Sequence, residues 1–90
     1  MKTIKFSSQF KRDYKSLTFS DKQSVDDAIK ILAKEGTLPY SPYLTHKLIS
    51  NYKNHLEAHI KPNLLIIWYE IEDDALKLVR VGSHSKLFGK

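Results

Sequence analysis

The stretch HLEAHIKPNLLIIWYEIEDDALKLVRV, residues 55–81, decides the fold. In its first part Leu56, Ala58 and Ile60 alternate with His55, Glu57 and His59, the period-two pattern of a half-buried strand. LLIIWYEI is apolar almost throughout and suits a central strand covered on both faces. Glu72, Asp73 and Asp74 make a polar turn, after which ALKLVRV reads as the returning strand of a hairpin. Three strands joined this closely read as an antiparallel meander.

Working outward, the pattern changes. KTIKF, residues 2–6, alternates as a short first strand. Ser7 or Ser8 can cap a helix through QFKRDYKSL, where Phe10, Tyr14 and Leu17 fall at i, i+4 and i+7 on one face. Ser20 to Gln23 has the form of a capping box and opens a second helix, with Val25, Ala28, Ile29 and Leu32 as its apolar stripe. Gly36 is placed to end that helix in the left-handed conformation. TLPYSPYLT, residues 37–45, reads as an extended loop. The sum is an α+β fold, β-α-α followed by an antiparallel β-meander, with two helices packed on one face of a curved sheet. The expected layout is a single domain over residues 1–90, its other sheet face open for a site.

Bulk composition narrows the function. The chain of 90 residues has no cysteine, which excludes disulfides and thiolate metal sites and suits a reducing compartment. MKTIKFSSQF lacks the apolar core of a signal peptide, and the apolar run Leu64 to Tyr69 is too short to span a membrane, so a soluble cytoplasmic protein with no membrane partner is expected. A net charge of +5, spread along the chain, favours an anionic partner such as nucleic acid or an acidic protein.

The four histidines invite a metal reading, with His55 and His59 as the nearest pair. On a strand their Cα atoms stand ~13 Å apart, too far to share one ion. The metalloprotease pattern also needs Glu directly after the first His, and Leu56 stands there. Neither a metal nor a cofactor is expected. There is no nucleophile elbow and no phosphate-cradling glycine loop. What remains is His46, His59 and His84 for proton transfer, with Arg80 as a permanent cation. By parity Arg80 and Gly82 share a strand face, which His84 continues if the strand geometry persists. His59 shares its polar face with Glu57 and His55, and antiparallel neighbours bring His59 towards Arg80 in a positively charged concavity. Each residue also has a structural reading: His84 as a turn residue, Arg80 paired with Glu57, His46 ending the proline-rich loop, Leu87 and Phe88 as a plug. Trp68 reads as core, and Tyr40, Tyr43 and Tyr52 as loop residues covering it. Only the constellation points to chemistry.

That constellation is familiar. YLTHKLISNYKNHLEAHIKPNLLIIWYEI, residues 43–71, followed by LVRVGSHSKLF, residues 78–88, resembles the YafQ branch of the RelE-type bacterial toxins. The motifs H-x-L, H-I-x-P and R-x-G-[ST]-H-x-x-L-F occur in order, and FKRDYK on the first helix matches more loosely. The resemblance implies a toxin of a type II toxin–antitoxin pair, a ribosome-dependent endoribonuclease that cuts mRNA. It implies an antitoxin partner of the RelB or DinJ kind, and operator DNA bound through the complex. Carried over by position, His46, His59, Arg80 and His84 are the expected catalytic groups. His84 would be the general acid, His46 or His59 the base, and Arg80 the phosphate clamp. Phe88, Lys61, Asn63 and Lys47 are the expected substrate contacts. Asn63 and Leu64 depart from the Asp and Trp frequent in the family, and Leu56 from a frequent Arg, so a carboxylate base is lost at Asn63. Two other readings use the same fold: a toxin acting on DNA gyrase without cutting RNA, and a module that only binds antitoxin or operator.

Overall fold

The computed structural model describes residues 1–48 and 54–89; the expectation for Tyr52 lies outside them. In chain order the elements are β1 (Thr3–Phe6), α1 (Ser8–Lys15), α2 (Phe19–Glu35), a kinked helical turn α3 (Tyr40–Tyr43), β2 (His46–Lys47), β3 (Leu56–Lys61), β4 (Leu64–Glu72), β5 (Ala75–Gly82) and α4 (His84–Phe88). They form a five-stranded sheet in the order β1-β5-β4-β3-β2. The meander is antiparallel, as is β2 on β3, whereas β1 pairs with β5 in parallel.

Alternation along β4 sorts the core into two clusters. Leu64, Ile66 and Trp68 face α1 and α2 and meet Phe10, Val25, Ala28 and Leu32, with Leu76, Leu78 and Val81 from β5. Leu65 and Ile67 point the other way and pack with Leu87 of α4, flanked by Leu48, Val79 and Phe88. β4 is thus covered on both faces, as its unbroken apolar run demands, and Trp68 is wholly buried. The second cluster corrects the expectation of an open sheet face: α4 lies across its middle.

A bulge in β5 fixes which way its functional residue points. Trp68 pairs with Leu78 but Ile67 pairs with Arg80, so Val79 is an extra residue. Strict alternation would keep Arg80 with Leu76 and Leu78 against the helices. The inserted residue sends Val81 into that core and turns Arg80 to the opposite face, a common use of bulges beside functional sites.

Helix ends differ in detail from the sequence reading. Ser7 caps α1, accepting from the Phe10 N–H at 2.9 Å. α2 starts earlier than the expected box: Thr18 is its cap, accepting from the Asp21 N–H at 3.1 Å, and Ser20 lies inside the helix. Gly36 ends α2 at φ 80° as expected. Among the described residues no helix is long and apolar enough to cross a membrane.

Candidate active site

The sheet register places the expected residues before any side chain is considered. His46 pairs with Glu57, Glu57 with Ile67 and Ile67 with Arg80, forming one transverse row; His59, Leu65 and Gly82 form the next row on the same face, beyond the Ala58–Ile66–Val81 row. His46, Glu57, His59 and Arg80 therefore share the face that α4 crosses. β4 lies between His59 and Arg80, so their strands are ~10 Å apart, two strand spacings. They flank Leu65 and Ile67; they are not cross-strand neighbours.

On the β2–β3 side the His46 and His59 rings stack at 6.3 Å between centroids. His46 is fully engaged: Nδ1 stands 2.9 Å from the Leu44 carbonyl oxygen and Nε2 3.1 Å from Glu57 Oε1. The Glu57 side chain is only 7% exposed. Glu57 thus pairs with His46 and not, as the structural reading of Arg80 had it, with Arg80. His59 Nδ1 is enclosed without a hydrogen-bond partner. A cavity of about 540 Å³, lined in part by Pro42, Leu44, His59 and Lys61, opens beside it. A second cavity of about 260 Å³, at Phe6, Phe10, Tyr14 and Ile29 between α1 and α2, lies away from these histidines.

On the β5 side Arg80 is held by Asp13 of α1, with Nε donating to Oδ2 at 2.7 Å and Nη2 to Oδ1 at 3.3 Å. The Asp13 side chain is 0% exposed and also accepts from the Val81 N–H at 3.2 Å and Gln9 Nε2 at 3.0 Å. Burial pushes its carboxyl up, but the hydrogen bonds from Arg80, Gln9 and Val81 and the Arg80 charge outweigh that and hold it below the ordinary value of 3.8. A carboxyl depressed by folding stabilises the native state at pH above its unfolded value and loses that contribution as pH falls through the folded one. The protein is expected to lose stability to urea progressively below about pH 4. Asp13→Asn should cost about 1.5–3 kcal/mol at pH 7 and flatten this acid slope in melts taken across that range.

His84 does not continue the β5 strand. Ser83 caps α4, accepting from the Lys86 N–H, and His84 is its first residue. The chain turns back onto the sheet at Gly82, whose φ is 154° and where a Cβ would stand 3.3 Å from Lys86 Cδ. Leu87 anchors the helix in the second cluster, which bears out the plug reading for that residue. The exposed His84 ring lies 5.0 Å from the Phe88 ring. Asn63 Oδ1, from the β3–β4 turn, accepts from the His84 backbone N–H at 3.2 Å. An amide at Asn63 thus still holds the first turn of α4. Leu64 is core, on the helix side.

The two expected lysine contacts are placed differently. Lys61 reaches the start of α2, donating to Ser20 Oγ at 3.0 Å and Asp21 Oδ1 at 2.7 Å. Lys47 is exposed, but its register with Leu56 puts it on the opposite side of β2 from His46. His55, just before β3, packs its ring 4.7 Å from the Tyr69 ring. Among the described residues no group of three or more His, Asp or Glu side chains is arranged to hold a metal ion.

Sequence reasoning missed Asp13, although a signal was present. Phe10, Asp13, Tyr14 and Leu17 fall at i, i+3, i+4 and i+7, so a carboxylate occupies the apolar stripe of α1. Such a position demands a buried donor set.

A small basic α+β protein with a histidine pair, an acid-anchored arginine and a short C-terminal helix across one sheet face belongs to the class of compact bacterial toxins on which it superposes. Over residues 2–89 it matches the family described as bacterial toxin of type II toxin–antitoxin system, YafQ, and it belongs to that family. The mRNA interferase toxin YafQ of Escherichia coli strain B is 34% identical to it over 96% of this chain and 95% of that protein. A copper-bound mutant toxin from Helicobacter pylori superposes with a TM-score of 0.82 at 31% identity, covering 98% of this chain and all of that one. The E. coli DinJ–YafQ complex contains a chain that superposes at 0.78, with 28% identity over 99% and 100% of the two chains.

Proposed function

We propose that this chain is an mRNA interferase, cutting mRNA on the ribosome by a metal-independent acid–base reaction, with the RNA 2′-OH as nucleophile. The observation that carries the reading is the shared sheet face of His46, His59 and Arg80, with His84 on the helix that crosses it. His59 takes the 2′-OH proton and O2′ attacks the adjacent phosphorus. Arg80 stabilises the charge on the five-coordinate phosphorus through its N–H donors. The P–O5′ bond breaks as His84 gives a proton to O5′. Phe88 stacks on a base, a contact worth about 1–3 kcal/mol. Asn63 acts by holding α4, and Lys47 by attraction to the RNA backbone.

The partners follow from the same reading. A DinJ-like antitoxin holds the toxin inactive, as the E. coli complex supports. The pair binds operator DNA, and the site of action is the cytoplasm, where ribosomes are. The test uses translating ribosomes supplied with magnesium, and toxin stripped of transition metals. Expected products are a 2′,3′-cyclic phosphate and a 5′-hydroxyl. A 5′-phosphate end, or activity restored only by a transition metal, would remove the mechanism. Intact mRNA with blocked supercoiling would favour the gyrase reading.

A further inference from the structure

We propose that Asp13 of α1 is a positioning residue for the active-site arginine, its buried carboxylate setting the direction in which the Arg80 guanidinium faces the substrate phosphate. The inference rests on the phosphate-binding role given to Arg80 above and extends it to a residue 67 positions away in the chain, on another element.

Three observations converge. The first is cost. A carboxylate with 0% exposure is expensive to bury, and an apolar residue at this point of the Phe10–Tyr14–Leu17 stripe would pack α1 at least as well. The second is geometry. Asp13 takes the Nε–Nη2 edge of Arg80 at 2.7 and 3.3 Å, which fixes the plane of the guanidinium, and takes the Val81 N–H at 3.2 Å. One carboxylate therefore holds both the head of the arginine and the backbone just after it, beside the bulge that turns Arg80 to this face. An arginine side chain is long and flexible, and misplacement by ~1 Å can cost about 10²-fold in rate. The third is charge. Lys86 of α4 brings its ammonium to 3.8 Å from Asp13 Oδ1. Asp13 at −1, with Arg80 and Lys86 at +1 each, leaves one net positive charge, so the carboxylate orients Arg80 without cancelling its attraction for phosphate.

The test is a kinetic cycle on full-length toxin freed from its antitoxin. Asp13→Asn is expected to lower kcat for ribosome-bound mRNA by roughly 10–100-fold, with KM within about twofold. The double variant with Arg80→Ala should be no slower than Arg80→Ala alone, because both changes remove one function. A purely structural role predicts multiplying losses, and that result would overturn the proposal, as would an unchanged kcat. If Asp13→Asn does not fold, Gln9→Ala removes one donor to the same carboxylate; a drop of several-fold, absent in the Arg80→Ala background, is then expected. An independent reading is the Arg80 Nε–H resonance. It should exchange slowly with solvent in the wild type and faster in Asp13→Asn, and equal exchange in the two would overturn the proposal. Slow exchange in a wild type that leaves mRNA intact would instead remove the nuclease reading and leave the Asp13–Arg80 coupling standing.

Discussion

His84→Ala should lower the rate of mRNA cleavage by about 10²–10⁴-fold, the usual worth of one general acid, and leave a folded protein that still binds antitoxin. The size of the effect follows from the proton balance: the 5′-oxygen departs as an alkoxide unless a donor meets it. The selectivity follows from the position of the residue. His84 is exposed at the first position of α4, where alanine is a good helix former. The helix is fastened by other groups: Leu87 in the second apolar cluster, the Ser83 cap, and a backbone bond to Asn63 that does not involve the imidazole. Phe88 loses a ring contact at 5.0 Å and keeps its apolar neighbours. The check is single-turnover cleavage on stalled ribosomes, with a thermal melt and an antitoxin titration on the same preparation. Wild-type cleavage by a folded His84→Ala protein would remove His84 from the chemistry. Relief of growth arrest without loss of antitoxin binding is the expected cellular counterpart.

How much of this was legible in the sequence depends on whether a feature is local. The meander was readable because the hydrophobic period changes from 3.6 to 2 within one chain, and LLIIWYEI has no polar position for a solvent face. Gly36 was readable because a left-handed helix end asks for glycine. The bulge at Val79 was not, because it is a property of two strands: nothing in ALKLVRV says that Ile67 will skip a partner. Arg80 and Gly82 were rightly put on one face, but strict parity would have put them with Leu76 and Leu78. α4 and β2 were missed for a related reason. A five-residue helix and a two-residue strand are too short to form alone, and each exists through the surface it lands on. The site divides in the same way. Its histidines announced their chemistry by type, whereas Asp13 showed only as a carboxylate within the apolar stripe of α1, and its partners on β5 could not be read from that helix.

His59 and His46 should prove unequal, which the sequence left undecided. His46 has both ring nitrogens facing acceptors, Nδ1 the Leu44 carbonyl at 2.9 Å and Nε2 the Glu57 carboxylate at 3.1 Å. Both nitrogens of that ring are thus occupied by protein groups. His59 carries no such double commitment: its enclosed Nδ1 makes no hydrogen bond, and it is the ring as a whole that borders the cavity beside β3. Under the proposed mechanism we therefore assign the base to His59, with the His46 ring stacked 6.3 Å away. His59→Ala and His59→Gln are each expected to lower kcat by about 10²–10⁴-fold, because neither replacement accepts a proton in the working pH range. His46→Gln keeps an N–H donor and should lose only about tenfold, near the worth of one charge-assisted hydrogen bond. Single-turnover rates for the three variants decide it, read alongside melts that exclude unfolding. Equal losses for His46→Gln and His59→Gln would mean that the Glu57 and Leu44 contacts break when RNA binds, returning His46 to the role of base.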